Sequence, residues 1–345
     1  MKLKELDCII VGQGIAGSLL AYELDSSNAK ILVVDSGNKQ NSSSVAAGIF
    51  NPINLNTLKK IELADEMYNS LIHLDHRLYK SFNTSYFSFM PVIRLLKSNI
   101  DSDFKNLYPF INGIVKTTEL IKFNNYKSAI ELNGLGFMHI NQFLDDFRKY
   151  LNKIDSISHD LFEYDKLKIE NDFVVWNHFK AKKIIFCEGT WSKENPWFPK
   201  NAFSFTKGQL LIIQSNDMPQ NMIIKDKIFI LPIGNNLFKV GATYEREDIS
   251  WKPSLKGKQW LLNQIDQTIS CQYKIVEHHA GIRPNIRDRK PVIGYHPQFA
   301  SLGFFNGMGS RGVLYSAYYS GLIAKSILEN KNDLPAEVNI SRFYK

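Results

Sequence analysis

The chain has 345 residues, 44% of them hydrophobic and 12% aromatic, which excludes a disordered protein and supplies core enough for two domains or one elaborated domain. Its net charge of +8 is spread along the sequence without a long basic run, so it permits an anionic partner and argues for none. Cys8, Cys187 and Cys271 lie far apart with no CxxC pair, no stretch reaches the ~20 apolar residues of a membrane span, and Asp7 interrupts the only signal-peptide mimic; no metal, no membrane and a cytoplasmic location are expected.

The first element is an apolar run, Cys8 to Val11, that stops at Gly12, Gly14 and Gly17 before an apolar helical pattern begins. This is GxGxxG between a strand and a helix: Gly12 for the tight turn, Gly14 for bare backbone beside a pyrophosphate, Gly17 for close helix packing. The amides at the helix start, Ile15 and Ala16 among them, together with the helix dipole, suit phosphate charge. A second apolar run, Ile31 to Val34, ends at Asp35 and Ser36; the acid, 18 residues after Gly17, is placed to accept hydrogen bonds from ribose hydroxyls and disfavours a 2′-phosphate. FAD or NAD is therefore expected rather than NADP.

A small-residue segment, Ser42 to Pro52, follows. Leu63, Met67, Leu71, Leu74 and Leu78 stand at helical spacing within residues 61–82, and residues 85–137 read as short aromatic-rich strands. Ile140, Phe143, Leu144, Phe147 and Leu151 predict an amphipathic helix over 139–153. Lys183 to Ser192 is a buried strand ending in a glycine turn, residues 208–214 and 228–243 read as strands of a second sheet, and Ser301 to Phe305 is a strand before NGMGSRG and a helix from Val313 to Leu328. Nucleotide-binding pieces thus stand at the start, middle and end. The expected fold is α/β, a Rossmann-like domain from residues 1–84, 139–204 and 281–345, interleaved with an α+β substrate domain of mixed or antiparallel sheet from 85–138 and 205–280.

Five segments in this order, VGQGIAG, SSSVAAGIFNP, IIFCEGTWS, TKGQLLII, and GIRPNIRDRKPVIG with GFFNGMGSRG, resemble the FAD-dependent amine and amino-acid oxidases of the D-amino-acid oxidase and glycine oxidase (DAO) type. The ending NGMGSRGVLYSAYYSGLIA is most similar to the oxidase half of the bifunctional enzyme that modifies tRNA wobble uridines, where a carboxymethyl group is removed from an aminomethyl uridine. The resemblance implies noncovalent FAD and hydride transfer from a C–N-bearing carbon to flavin N5. It implies that Ser43, Ser44, Ala46, Ala47 and Gly48 wrap the flavin. Gly189, Thr190 and Trp191 then form a turn against the phosphates or ring, a simple strand-end turn being the alternative. Gly307, Met308, Gly309, Ser310, Arg311 and Gly312 precede a helix whose N-terminus faces the flavin pyrimidine edge, where backbone donors stabilise charge that develops on reduction; Arg311 either adds a charge near the ring or pairs with a carboxylate.

In GIRP, the family likeness makes Arg283 the anchor of a substrate carboxylate, against a salt bridge to Asp288 or Glu277; a guanidinium fork matches a planar carboxylate. Phe229, three residues before Pro232, stands where relatives with small amino-acid substrates often have a tyrosine, and Ile233 where an arginine is common. Tyr244 is the candidate for the missing hydroxyl and His279, with His278 beside it, for a base. Oxidation of a small amine or amino acid is the expected function. The same chemistry on a tRNA wobble nucleoside, and a flavin-binding redox module without turnover, are the rivals; the sequence sets no oligomeric state.

Overall fold

The strand Lys4–Val11 is the axis of the first sheet, and the chain reverses its order of addition there. Ile31–Val34 and then Ile157–Ser158 lie parallel to it on one side; Phe179–Phe186 lies parallel on the other, with Leu302–Asn306 parallel beyond. The runs are apolar because both faces are covered: Cys8 to Val11, Ile31 to Val34, Ile184 to Phe186 and Leu302 to Asn306 are all buried. The first half of Phe179–Phe186 pairs antiparallel with Val174–Trp176, and its second half takes up Leu302–Asn306. A doubly wound sheet binds ligands outside the carboxyl ends of its strands at such a reversal.

The structure is a computed structural model that describes residues 3–37, 40–97, 109–116, 123–124, 126 and 128–344; the rest of the expected short strands between 85 and 137 lie outside them. The chain divides into two compact units, one of residues 1–46, 140–205 and 283–345 and the other of 47–139 and 206–282. In the first unit the helix Ile15–Asp25 is buried along almost its whole length and packs on the last helix, Gly312–Glu329. The helix Ile140–Lys153 buries Ile140, Phe143, Leu144, Phe147 and Leu151, the five residues that its spacing selects.

The second unit holds a sheet of eight strands in the order Lys274–Arg283, Thr206–Gln214, Leu237–Gly241, Phe229–Gly234, Ile223–Lys225, Val92–Leu96, Ser128–Leu132 and Ile111–Lys116. From Thr206–Gln214 to Ile111–Lys116 the neighbours run antiparallel, except Ile223–Lys225 beside Val92–Leu96, which run parallel. Residues 47–84, expected within the nucleotide-binding domain, fold with this unit. The helix Ala64–Phe82 among them buries Met67, Leu71, Leu74 and Leu78. It starts after Leu63 rather than before it, because Leu63 takes left-handed backbone (φ 55°) that no α-helix continues. An amphipathic stripe states that one face is covered, but not by which sheet.

Candidate functional site

Four parallel strands of the first unit each deliver a polar segment at their carboxyl ends. Val11 leads to Gly12–Gly17, Val34 to Asp35, Phe186 to Glu188 and the short helix Gly189–Lys193, and Asn306 to Gly307–Gly312. Gly12 has φ 101°, and a Cβ on Gly17 would stand 1.9 Å from the Gly12 carbonyl oxygen, so the helix sits on its turn only with glycine there. A Cβ on Gly14 would meet only Ser43 Oγ, at 3.2 Å, which leaves the backbone open for a close ligand.

Asp35 is fully organised. Its Oδ2 accepts from the Gln13 amide at 2.8 Å, and its Oδ1 from the Gly37 amide at 2.9 Å and from Arg148 Nη2 at 2.5 Å. The Ile15 amide donates to Ser43 Oγ at 3.1 Å, so this hydroxyl takes a helix-start donor that an anion would otherwise meet; the further amides of the first turn have no intrahelical acceptor. Ser43 and Ser44 lie in the short helix Ser42–Val45, capped by Asn41 and tied through the Ser44 carbonyl to Asn141. Ser36 is exposed. Ala46 ends the first unit, and Ala47 and Gly48 open the second. A Cβ on Gly48 would stand 2.2 Å from the Met138 carbonyl oxygen, so the glycine is demanded by its neighbouring strand.

Asn306 joins two of the segments. Its Nδ2 donates to the Gly189 carbonyl at 2.9 Å and to Ser192 Oγ at 2.5 Å, while its Oδ1 accepts from the Gly307 amide at 2.7 Å. Thr190 is buried and Trp191 half-exposed, its Nε1 donating to the Gln40 carbonyl. In the loop, Met308 is buried and Ser310 exposed. Arg311 caps the last helix, and its Nε is buried without a hydrogen-bond partner among the described residues.

Arg283 ends the strand Lys274–Arg283 and opens the last segment of the first unit. Nearby, Asp288 pairs with Arg342 at 2.8 Å and Glu277 with His279 Nε2 at 2.5 Å. In the second unit, Tyr244 is 59% exposed with the Arg246 guanidinium 5.8 Å from its ring. His279 faces solvent with Glu277, whereas His278, pointing the other way by strand alternation, has a buried Nε2 without a partner among the described residues; burial lowers its pKa, helped by nearby Lys258. Phe229 packs its ring against Gly241 across the strand pair, a packing role for the residue that replaces tyrosine.

Gln13, Arg148 and Glu188 join the site without being picked out by the sequence. Ser192 and Asn306 lie inside motifs that were read; Arg148 has no local signal, since it meets Asp35 across 113 residues. The donor and acceptor set fits FAD: an open glycine backbone, a carboxylate for ribose, and at Arg311 an orphaned buried donor that a coenzyme oxygen would satisfy. Among the described residues no cluster of three or more His, Cys, Asp or Glu that could hold a metal occurs, and no helix is long and apolar enough to cross a membrane.

Residues 157–326 match a family described as FAD dependent oxidoreductase (DAO). The chain is 23% identical to a glycine oxidase of Bacillus subtilis, with 95% of this chain and 94% of that protein covered. A crystal structure of glycine oxidase from Bacillus cereus shares the fold, with a TM-score of 0.76 at 17% identity over 95% of this chain and 96% of the other. A tRNA 5-methylaminomethyl-2-thiouridine biosynthesis bifunctional protein of Campylobacter jejuni is 22% identical over 85% of this chain, which spans 46% of that protein.

Proposed function

From the premise that this chain is a FAD-dependent oxidoreductase of the DAO type, we propose that it oxidises the C–N bond of a small amine or amino acid whose carboxylate is held by Arg283. The observation that carries the reading is the convergence, in one unit, of four strand ends bearing Gly12–Gly17, Asp35, Gly189–Lys193 and Gly307–Gly312. When bound, FAD supplies the two-electron acceptor for such an oxidation.

The chain's residues do the rest. The backbone at Gly14 and the amides of the first helical turn hold the pyrophosphate, and Asp35 meets the ribose. The last helix's N-terminus and Arg311 present positive potential where negative charge develops. The Arg283 guanidinium forms two parallel bonds to a carboxylate and so fixes which carbon faces the coenzyme. Tyr244 is the proposed second donor to the carboxylate, in place of the hydroxyl that Phe229 lacks, and His279 the proposed base. A cytoplasmic location accords with three free cysteines.

Anaerobic mixing of the yellow protein with a panel of amines and amino acids tests the proposal: the visible flavin band bleaches with the true substrate class. A protein that holds FAD but that neither an amine, an amino acid nor tRNA bleaches is instead a redox module without turnover. Arg283→Ala is expected to raise KM by at least about tenfold, ~1.4 kcal/mol of lost binding, with flavin content unchanged. Loss of flavin in that variant makes Arg283 structural. A second reading, the same chemistry on a tRNA wobble nucleoside, is favoured by the likeness to the Campylobacter protein over 85% of this chain.

A further inference from the structure

Glu188 stands at the end of Phe179–Phe186, immediately before the turn Gly189–Lys193, where the DAO reading uses only the glycine and the residues after it. Its side chain is held from three sides. Tyr164 Oη donates to Oε1 at 2.5 Å, Asn195 Nδ2 to Oε2 at 2.9 Å, and Ser192 Oγ approaches Oε2 at 3.5 Å. Ser192 Oγ in turn accepts from Asn306 Nδ2, whose other bond goes to the Gly189 carbonyl and whose Oδ1 holds the Gly307 amide. A polar chain therefore runs from Tyr164 through Glu188 and Ser192 to the first amide of the loop Gly307–Gly312, its longest link being the 3.5 Å approach of Ser192 to Glu188. An amide in its place can keep its oxygen on Asn195 and Ser192 only by turning its N–H toward Tyr164 Oη, which must then accept instead of donate and leaves its own O–H without the acceptor it has now.

We propose that Glu188 is a positioning residue for the coenzyme: braced by Tyr164 and Asn195, it registers the turn Gly189–Lys193 against the loop Gly307–Gly312, so that the two segments meet FAD as one preformed surface. The inference rests on the FAD reading above and adds to it the residue that couples two of its four segments. Glu188 itself touches no substrate; it acts through Ser192 and Asn306. Preorganisation of this kind appears in affinity, because a loosened pair of loops must be ordered when the ligand binds.

The test uses the apoprotein titrated with FAD, read by quenching of flavin fluorescence, with the visible circular dichroism of the bound flavin and the melting temperature of the apoprotein measured alongside. Glu188→Gln is expected to weaken FAD binding at least about tenfold and to change the dichroism, with Glu188→Asp restoring part of both. Ser192→Ala is expected to act along the same route, so that the double variant is less impaired than the product of the two single effects. A Glu188→Gln protein with wild-type affinity and dichroism overturns the proposal, as do effects of the two substitutions that multiply independently. Should Glu188→Gln fail to fold, wild-type affinity in Ser192→Ala overturns it. Gly14→Val separates the two layers: it places a side chain where the pyrophosphate is to lie, on backbone that tolerates it (φ −77°). If wild-type protein takes up no FAD, or Gly14→Val binds it unimpaired, the coenzyme reading fails and not the role of Glu188 alone.

Discussion

Glu188 also makes a prediction about protons. Its carboxyl is pushed up to about 7 by burial, against the pull of hydrogen bonds from Tyr164, Asn195 and Ser192. Burial raises the neighbouring Tyr164 first, with the Glu188 charge after it and Glu194 adding its own; burial also raises the Cys187 thiol, with the charges of Cys8 and then Glu188 after it. An unfolded glutamate ionises near its ordinary value of 4.5, so between there and about 7 the native state holds a proton that the unfolded state has released. Stability therefore falls as pH rises across that window. Glu188→Gln removes this titration: the melting temperature of the wild-type apoprotein, relative to the variant's, declines from pH 4.5 to 7 and is flat above it. A difference that does not change with pH refutes the assignment.

At the scale of the element, the helix Ile140–Lys153 shows how much a local pattern can carry. Its five apolar positions are the five buried ones, because a period of 3.6 residues puts them on one face whatever they meet. Phe147 is the centre of that face, stacked on Phe143 and Tyr150 and edge-on to Tyr22 of the first helix. Phe147→Ala is expected to cost about 3–5 kcal/mol, read as a lowered denaturant midpoint at unchanged slope. Arg148, next in the chain, points off the apolar face to Asp35. The spacing that locates the helix is silent about that pairing, since an arginine on a polar face reads as solvated in any sequence.

At the scale of the whole molecule, the first unit is assembled from three stretches of chain, and the four strand ends proposed to meet the coenzyme draw on all of them. The net charge of +8 is the one global property that bears on the choice between a free amine and a tRNA substrate. If tRNA is the substrate, it raises the melting temperature of the holoenzyme, and log K falls steeply with log salt as counterions are released. Turnover of a free amino acid that is insensitive to salt, with no tRNA-dependent shift, settles the choice for the small substrate.

Short-range order was legible in the residues alone: the strand, glycine turn, helix and acid of the first βαβ unit, the face of Ile140–Lys153, and the strand before the last helix all depend on neighbours within a few turns of one another. Backbone conformation and one-sided burial leave a periodic trace, and sequence records it. Partnership leaves none. That Ala64–Phe82 folds with the second unit, that Arg148 closes on Asp35 across 113 residues, and that Asn306 meets Gly189 across 117 are decided only when the strands are laid side by side. A hydrogen-bonding side chain looks the same in a sequence whether its partner is water or a group from a distant part of the fold, and only the assembled sheet makes one of them nearest.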